Sequence, residues 1–205
     1  MSLIESNVNA KADIAKKYTL EEYLQREERS LHKHQFINGD IITMPGAKLR
    51  HNLIATNTTY LLKKLTQILE KNYLVVNSDQ KIYIESANTV LYPDALVVCE
   101  VPVFWNDRED LIVNPLLIVE VLSKSTRKYD RGNKFTFYKA CPTLKEYVVI
   151  DQFEPLLESW YRIGDTTWDN SIQTNLSQSL VLRSLGIELP LKEVYDKIDF
   201  PRISS

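Results

Sequence analysis

The chain is poor in cysteine: 205 residues hold two, Cys99 and Cys141. Two cysteines make no disulfide framework, and nothing near them completes a zinc-ligand cluster, so a reducing compartment is the expected setting. Long apolar runs are missing as well. No stretch is long enough to span a bilayer, and Met1 to Lys17 alternates polar and apolar residues without the apolar core of a secretory signal. The expectation is a soluble cytoplasmic protein with no membrane partner. Internal repeats and low-complexity tracts are also missing. Charge of one sign is lacking too. With a formal net charge of -2, a nucleic-acid partner would have to be met by a local basic face. What remains is a chain with 44% hydrophobic residues, enough for one sizeable core. We expect a loose N-terminus over residues 1–17 and a single domain over 18–205.

Local signals give an α/β order. Thr19 with Glu22 forms a capping box for a first helix. Phe36-Ile37 and Ile41-Ile42 flank Asn38-Gly39-Asp40, a strong hairpin signal, and Pro45-Gly46 ends the second strand. From Asn52 to Leu69 apolar residues recur at helical spacing with lysines between them. Tyr73 to Val76, Lys81 to Ile84, Ala95 to Cys99 and Leu116 to Leu122 are short, β-branched-rich strand candidates. A helix is predicted from Asp130, as its cap, to Cys141-Pro142. Tyr147 to Ile150, Leu156 to Tyr161 and Leu180 to Leu182 read as strands, and Pro190 to Tyr195 as a short closing helix with proline in its first turn. The sum is a mixed α/β (α+β) domain with one central sheet.

Two carboxylates interrupt the apolar strands: Asp94 in Tyr-Pro-Asp-Ala-Leu-Val-Val, and Glu120 in Leu-Leu-Ile-Val-Glu-Val-Leu. Taking a carboxylate out of water costs several kcal/mol unless a partner compensates, so a partner must exist. Alternation puts Glu120 on a face with Leu116, Ile118 and Leu122. Taken singly, Asp94 reads as a turn residue after Pro93 and Glu120 as one half of a structural ion pair. Taken together they suggest a hard divalent cation, which binds one or two carboxylates plus substrate phosphate oxygens. Directly after Glu120 comes a basic segment, with Lys124, Arg127, Lys128, Arg131 and Lys134 against one acid, Asp130. Such density, mixed with hydroxyls, suits phosphate contacts, though charge runs are more often solvated faces.

Pro93-Asp94, Glu120 within Ile-Val-Glu-Val-Leu-Ser, Ser125-Thr126, Asp130, Lys134, Tyr138 and Glu146-Tyr147 together resemble the Uma-type restriction endonuclease family of the PD-(D/E)XK nuclease superfamily. The resemblance runs from the hairpin near Phe36 to the helix near Tyr195. It implies a restriction-endonuclease-like core, a central mixed β-sheet flanked by helices, and a metal-dependent endonuclease that hydrolyses phosphodiester bonds of DNA. Asp94 and Glu120 match the metal-holding acids, and the superfamily pattern adds the backbone carbonyl of Val121. Magnesium is the implied cofactor, with manganese as a substitute. The lysine expected two residues after the acid is absent, since position 122 is leucine, and Lys134 from the following helix is its implied replacement. Gln35 stands where the family usually has glutamate, as an accessory group. Lys124, Arg127, Lys128 and Arg131 are the implied nucleic-acid contacts, and a homodimer is the implied assembly. The competing reading is a catalytically inactive nuclease fold that binds nucleic acid or is structural, with Asp94 and Glu120 in ion pairs with Lys134 and neighbouring arginines.

Other residues carry less. His51, after Lys48 and Arg50, could touch a phosphate or serve as a base, and a surface histidine at a helix start is the preferred reading. His32 and His34 lack a third ligand at zinc spacing. Ser123 and Ser125 have no paired histidine, which argues against a serine hydrolase. Trp105, Trp160 and Trp168 are read as packing or interface residues.

Overall fold

The computed structural model of the chain describes residues 16–124 and 126–200. Most of the N-terminal stretch expected to be loose, residues 1–15, therefore lies outside the described residues, as does Ser125.

Helix α1 (Leu20–Glu27) starts with the predicted box: Glu22 N–H donates to the Thr19 hydroxyl at 3.1 Å, and Thr19 N–H donates to the Glu22 carboxylate at 2.9 Å. Strands β1 (His34–Ile37) and β2 (Asp40–Thr43) form the hairpin. Its two central residues, Asn38 and Gly39, have φ of 46° and 91°, as a two-residue turn with the twist of the flanking strands requires. Helix α2 (Leu49–Thr66) follows, starting three residues before the predicted onset. Next come β3 (Tyr73–Asn77), β4 (Lys81–Ile84), β5 (Thr89–Leu91), β6 (Ala95–Cys99), β7 (Leu111–Ile112) and β8 (Leu117–Leu122). The crossover out of β8 consists of α3 (Arg127–Tyr129), a π turn (Asp130–Lys134) and α4 (Phe135–Lys139). After it lie β9 (Glu146–Asp151), β10 (Leu157–Arg162), β11 (Trp168–Gln173), β12 (Ser179–Leu182), β13 (Ile187–Pro190) and α5 (Leu191–Val194), with Pro190 at its N-cap.

Two of these details correct the sequence reading. Asp130 does not cap the crossover helix; Thr126 stands at that end, and Asp130 lies inside, in the π turn. The strands also form two large sheets rather than one. The six-stranded sheet has the order β11-β10-β9-β8-β6-β3, and the five-stranded sheet β2-β1-β5-β4-β7. Tyr92-Pro93-Asp94 divides them, because β5 pairs in one sheet and β6 in the other. Proline has no N–H for a ladder, so the chain leaves the first sheet there.

Strand β8 sits in the interior of the six-stranded sheet, antiparallel to β6 and parallel to β9, and is buried along its whole length. One face, Leu117, Val119 and Val121, packs on Ile54, Leu61 and Leu62 of α2 and on Leu191 and Val194 of α5. The other face, Ile118 and Leu122, packs with Phe135, Tyr138 and Tyr147, and with Ile82 and Leu91 of the other sheet. This burial on both faces explains why β8 reads as a nearly continuous apolar run. Glu120 belongs to the second face and is the charged exception in it.

Candidate active site

The β6–β8 register brings the two acids together. Ala95 pairs with Val119. One step further along the same antiparallel register, Asp94 falls across from Glu120, and Asp94 N–H donates to the Val119 carbonyl at 3.1 Å. The Asp94 carboxylate is fixed by its Oδ2, which accepts the Val121 N–H at 2.7 Å. Val121 thus enters the site through its amide as well as through its sequence position. On the other side of Asp94, His51 in the first turn of α2 puts Nε2 3.2 Å from the same Oδ2.

Glu120 is almost wholly buried, and its Oε1 takes two contacts. Lys134 Nζ lies 2.6 Å away, and the Tyr138 hydroxyl donates at 2.7 Å. Both partners come from the crossover after β8, one turn apart. Lys134 closes the π turn, and its Nζ is 3.8 Å from Asp130 Oδ1 at the start of that turn. A π turn carries one residue more than an α turn, so it resets which face the following residues present. Here the segment after it turns Lys134 and Tyr138 to Glu120 and leaves Phe135 to stack on Tyr147, with ring centroids 4.8 Å apart. The Tyr147 hydroxyl then donates to the Asp130 carbonyl at 3.0 Å, so a backbone group of the turn has a partner from β9.

The electrostatics follow from this crowding. Burial pushes the Glu120 carboxyl up to about 8; Lys134 opposes this, while Asp94 and Asp130 add to it. Asp130 is also raised, by burial first, with Lys134 opposing. Burial works against the Lys134 ammonium, but Glu120, Asp130 and Asp94 outweigh it and hold the group charged. His51 is raised above the ordinary imidazole value: burial lowers it, and Asp94 and Glu120 more than reverse that. The acids Asp94, Glu120 and Asp130 are thus set against two cationic groups, Lys134 and His51, with Glu120 and Lys134 buried and Asp94 and His51 partly open to solvent.

Gln35 reaches the same neighbourhood through Tyr129, whose hydroxyl donates to Gln35 Oε1 at 3.0 Å. Tyr129 itself is pushed up to about 12, mainly by burial, with Lys134 opposing and the acids Asp130 and Glu120 reinforcing. The four remaining basic positions divide. Arg127 is paired with Asp151 and lies 3.6 Å from Glu154, and Arg131 is 2.9 Å from Glu158. Lys124 is exposed, with Nζ 5.3 Å from the Phe153 ring centre. Lys128 is exposed and makes no ion pair among the described residues. The acids that hold the arginines come more than twenty residues later in sequence, so the segment's charge count alone overstates what is free.

Two site contacts were not foreseen from the sequence, the place of His51 beside Asp94 and the tie made by Gln152. His51 stands in the first turn of α2, and nothing in Lys-Leu-Arg-His distinguishes a buried partner of Asp94 from a surface residue. Gln152 donates from Nε2 to the Leu122 carbonyl at 2.8 Å, tying β9's end to β8's end. Of the tryptophans, Trp160 and Trp168 pack around Phe135 and Trp105 packs edge-on to Tyr83.

The donor set fits a hard divalent cation in one respect and sets a limit in another. Asp94 adds to the cost of ionising Glu120, and Glu120 Oε2 and Asp94 Oδ1 take no hydrogen bond among the described residues. Oxygen donors with unsatisfied lone pairs are what magnesium or manganese requires. Among the described residues, however, no group of three His, Cys, Asp or Glu side chains converges as a complete cage. The remaining ligands would have to be waters, backbone or substrate oxygens, as is common for magnesium.

A sequence model of the Uma2 family, described as "Putative restriction endonuclease", matches residues 20–192. The Synechocystis protein sll1609 is 39% identical over 150 residues, covering 73% of this chain and 84% of its own length. A second Synechocystis protein, slr1290, is 32% identical over 186 residues, covering 90% of this chain and 94% of its own. Both are described as uncharacterized. The chain has the fold of a crystal structure from Anabaena variabilis described as a "putative nuclease belonging to DUF820", with a TM-score of 0.70 and 14% identity. That match covers 89% of this chain and 99% of the other.

Proposed function

The chain belongs to the Uma2 family, described as "Putative restriction endonuclease", and from that premise we propose that it is a divalent-metal-dependent endonuclease acting on DNA. The observation that carries this reading is the pairing of Asp94 with Glu120 across β6 and β8, with Lys134 Nζ 2.6 Å from Glu120 Oε1. Asp94, Glu120 and the Val121 carbonyl would hold magnesium, or manganese in its place. Such an ion, when bound, lowers the pKa of an attacking water and offsets charge on the phosphate oxygens.

The chain's own residues do the rest. Lys134 keeps its charge next to Glu120, so it is ready to orient the attacking water or to stabilise negative charge developing on phosphate. Tyr138 holds Glu120 in one orientation through its hydroxyl. Gln35, fixed by Tyr129, borders the site with a neutral amide that orients water. Lys128 and Lys124 are the exposed cations suited to phosphate contacts. Arg127 and Arg131 would contribute only by exchanging their present acid partners for phosphate. A homodimer follows from the same reading, because one such site cuts one strand, and a cytoplasmic setting follows from the nucleic-acid substrate. No helix among the described residues is long and apolar enough to cross a membrane.

One observation favours the rival, non-catalytic reading. The Lys134–Glu120 pair is complete without a metal, and position 122 holds leucine in place of the motif lysine. Cleavage of supercoiled and linear duplex DNA decides between them. Magnesium- or manganese-dependent cleavage that EDTA stops and that the Asp94→Ala, Glu120→Ala double variant loses is the expected result. Equal cleavage by the purified double variant would overturn the assignment.

A further inference from the structure

The two hydrogen-bonding positions on Asp94 Oδ2 are both accounted for. Val121 N–H donates at 2.7 Å and His51 Nε2 stands at 3.2 Å, while Oδ1 accepts nothing among the described residues. A carboxylate oxygen has two lone pairs, so the carboxylate is gripped by one oxygen and presents the other. The His51 ring is held in a way that suits this task. Its side chain is 15% exposed and its Nδ1 is buried, with the Asn52 side chain beside the ring. Oδ2 has a second lone pair for a donor beside the Val121 N–H, so the Nε2 that faces it carries a proton.

The helix that carries His51 is itself fastened to the acid-bearing strand. Arg50 donates from its guanidinium to the Gln152 carbonyl at 3.1 Å, and Gln152 Nε2 donates to the Leu122 carbonyl at 2.8 Å. Arg50 also donates to the Asp199 carbonyl at 2.7 Å. The first turn of α2 is thus tied to β8 two residues beyond Glu120, and the imidazole has little freedom to swing away from Asp94.

We infer that His51 is a positioning residue: its Nε2–H, together with the Val121 amide, fixes the Asp94 carboxylate so that Oδ1 is presented to a divalent cation shared with Glu120. The inference rests on the metal-dependent reading above and adds a residue to it. Hydrogen-bonded neighbours of a metal-ligating carboxylate set its direction and basicity, and losing one weakens metal affinity about 10- to 100-fold.

The test measures manganese binding to the full chain from the paramagnetic resonance signal of the free ion, without substrate, for wild type, His51→Leu, His51→Asn and His51→Gln. Glutamine can place an amide N–H near the position of Nε2; asparagine stops short of it, and leucine has no donor. The expected result is weaker binding, by about tenfold or more, in His51→Leu and His51→Asn, with affinity close to wild type in His51→Gln. Thermal melting of each variant identifies any that fails to fold, and His51→Asn keeps a polar side chain should leucine not be accepted. Wild-type binding with equal affinity in His51→Leu or His51→Asn would overturn the inference and leave the nuclease reading standing. So would a loss in His51→Gln as large as in His51→Leu. Where wild type binds only after a short DNA duplex is added, the variants are compared in its presence; no binding by wild type under either condition would overturn both.

Discussion

At the scale of single residues, Glu120 is the most consequential. Its carboxyl is raised from 4.5 to about 8 in the folded chain, with burial as the first cause. Between those values the folded state holds a proton that the unfolded state has released, so stability falls as pH rises through this window and is greatest below it. Glu120→Gln removes the titration. Urea unfolding at several values between pH 5 and 8 should therefore show a decline with pH in wild type that is flatter in the variant. An equally steep decline in both would mean that Glu120 is not the group responsible. The same proton must leave before a cation can use the carboxylate, so manganese affinity should rise with pH over this range. The buried Lys134 ammonium, 2.6 Å from a buried carboxylate, suits both a structural pair and a catalytic one.

Single elements carry this site by small departures from regularity. Pro93 ends pairing in one sheet and lets Asp94 open the next strand. The π turn of Asp130–Lys134 brings Lys134 and Tyr138 to one carboxylate oxygen. The β1–β2 hairpin holds Gln35 against Tyr129. Its Gly39 has a φ of 91°, and a Cβ there would come within 3.0 Å of Lys17 Cδ and 3.1 Å of Lys17 Cβ. Gly39→Ala should lower stability by about 1 kcal/mol, read as an earlier urea midpoint with an unchanged slope. A midpoint equal to wild type would show that the turn relaxes freely. The hairpin, the capping box of α1 and strand β8 were all readable, because each rests on a local rule of few residues. Strand β11 was not: Trp-Asp-Asn-Ser-Ile-Gln is mostly polar, and the strand lies at a sheet edge where little apolar pattern is needed. The π turn was equally hidden, since one residue of extra helix leaves no mark in spacing, and the helix start was read at Asp130 because aspartate is a common cap.

For the whole molecule, the mixed α/β class was legible from the order of helix and strand signals, and the need of Asp94 and Glu120 for partners from their place in apolar strands. The division into two sheets was not, because strand signals say nothing about which strands share a ladder. His51 was hidden for a similar reason: its partner lies 43 positions away in sequence, and only the packing of α2 on the six-stranded sheet joins them. The ion pairs of Arg127 and Arg131 with later acids also depend on the β9 and β10 positions. The central claim is that the assembled fold makes a cation site from two carboxylates and completes it with substrate. The most direct measurement is a calorimetric titration of manganese into the chain with a short DNA duplex present, for wild type and the Asp94→Ala, Glu120→Ala double variant. Binding in wild type that disappears in the double variant is the predicted result; equal binding in both, or none in either, would contradict it.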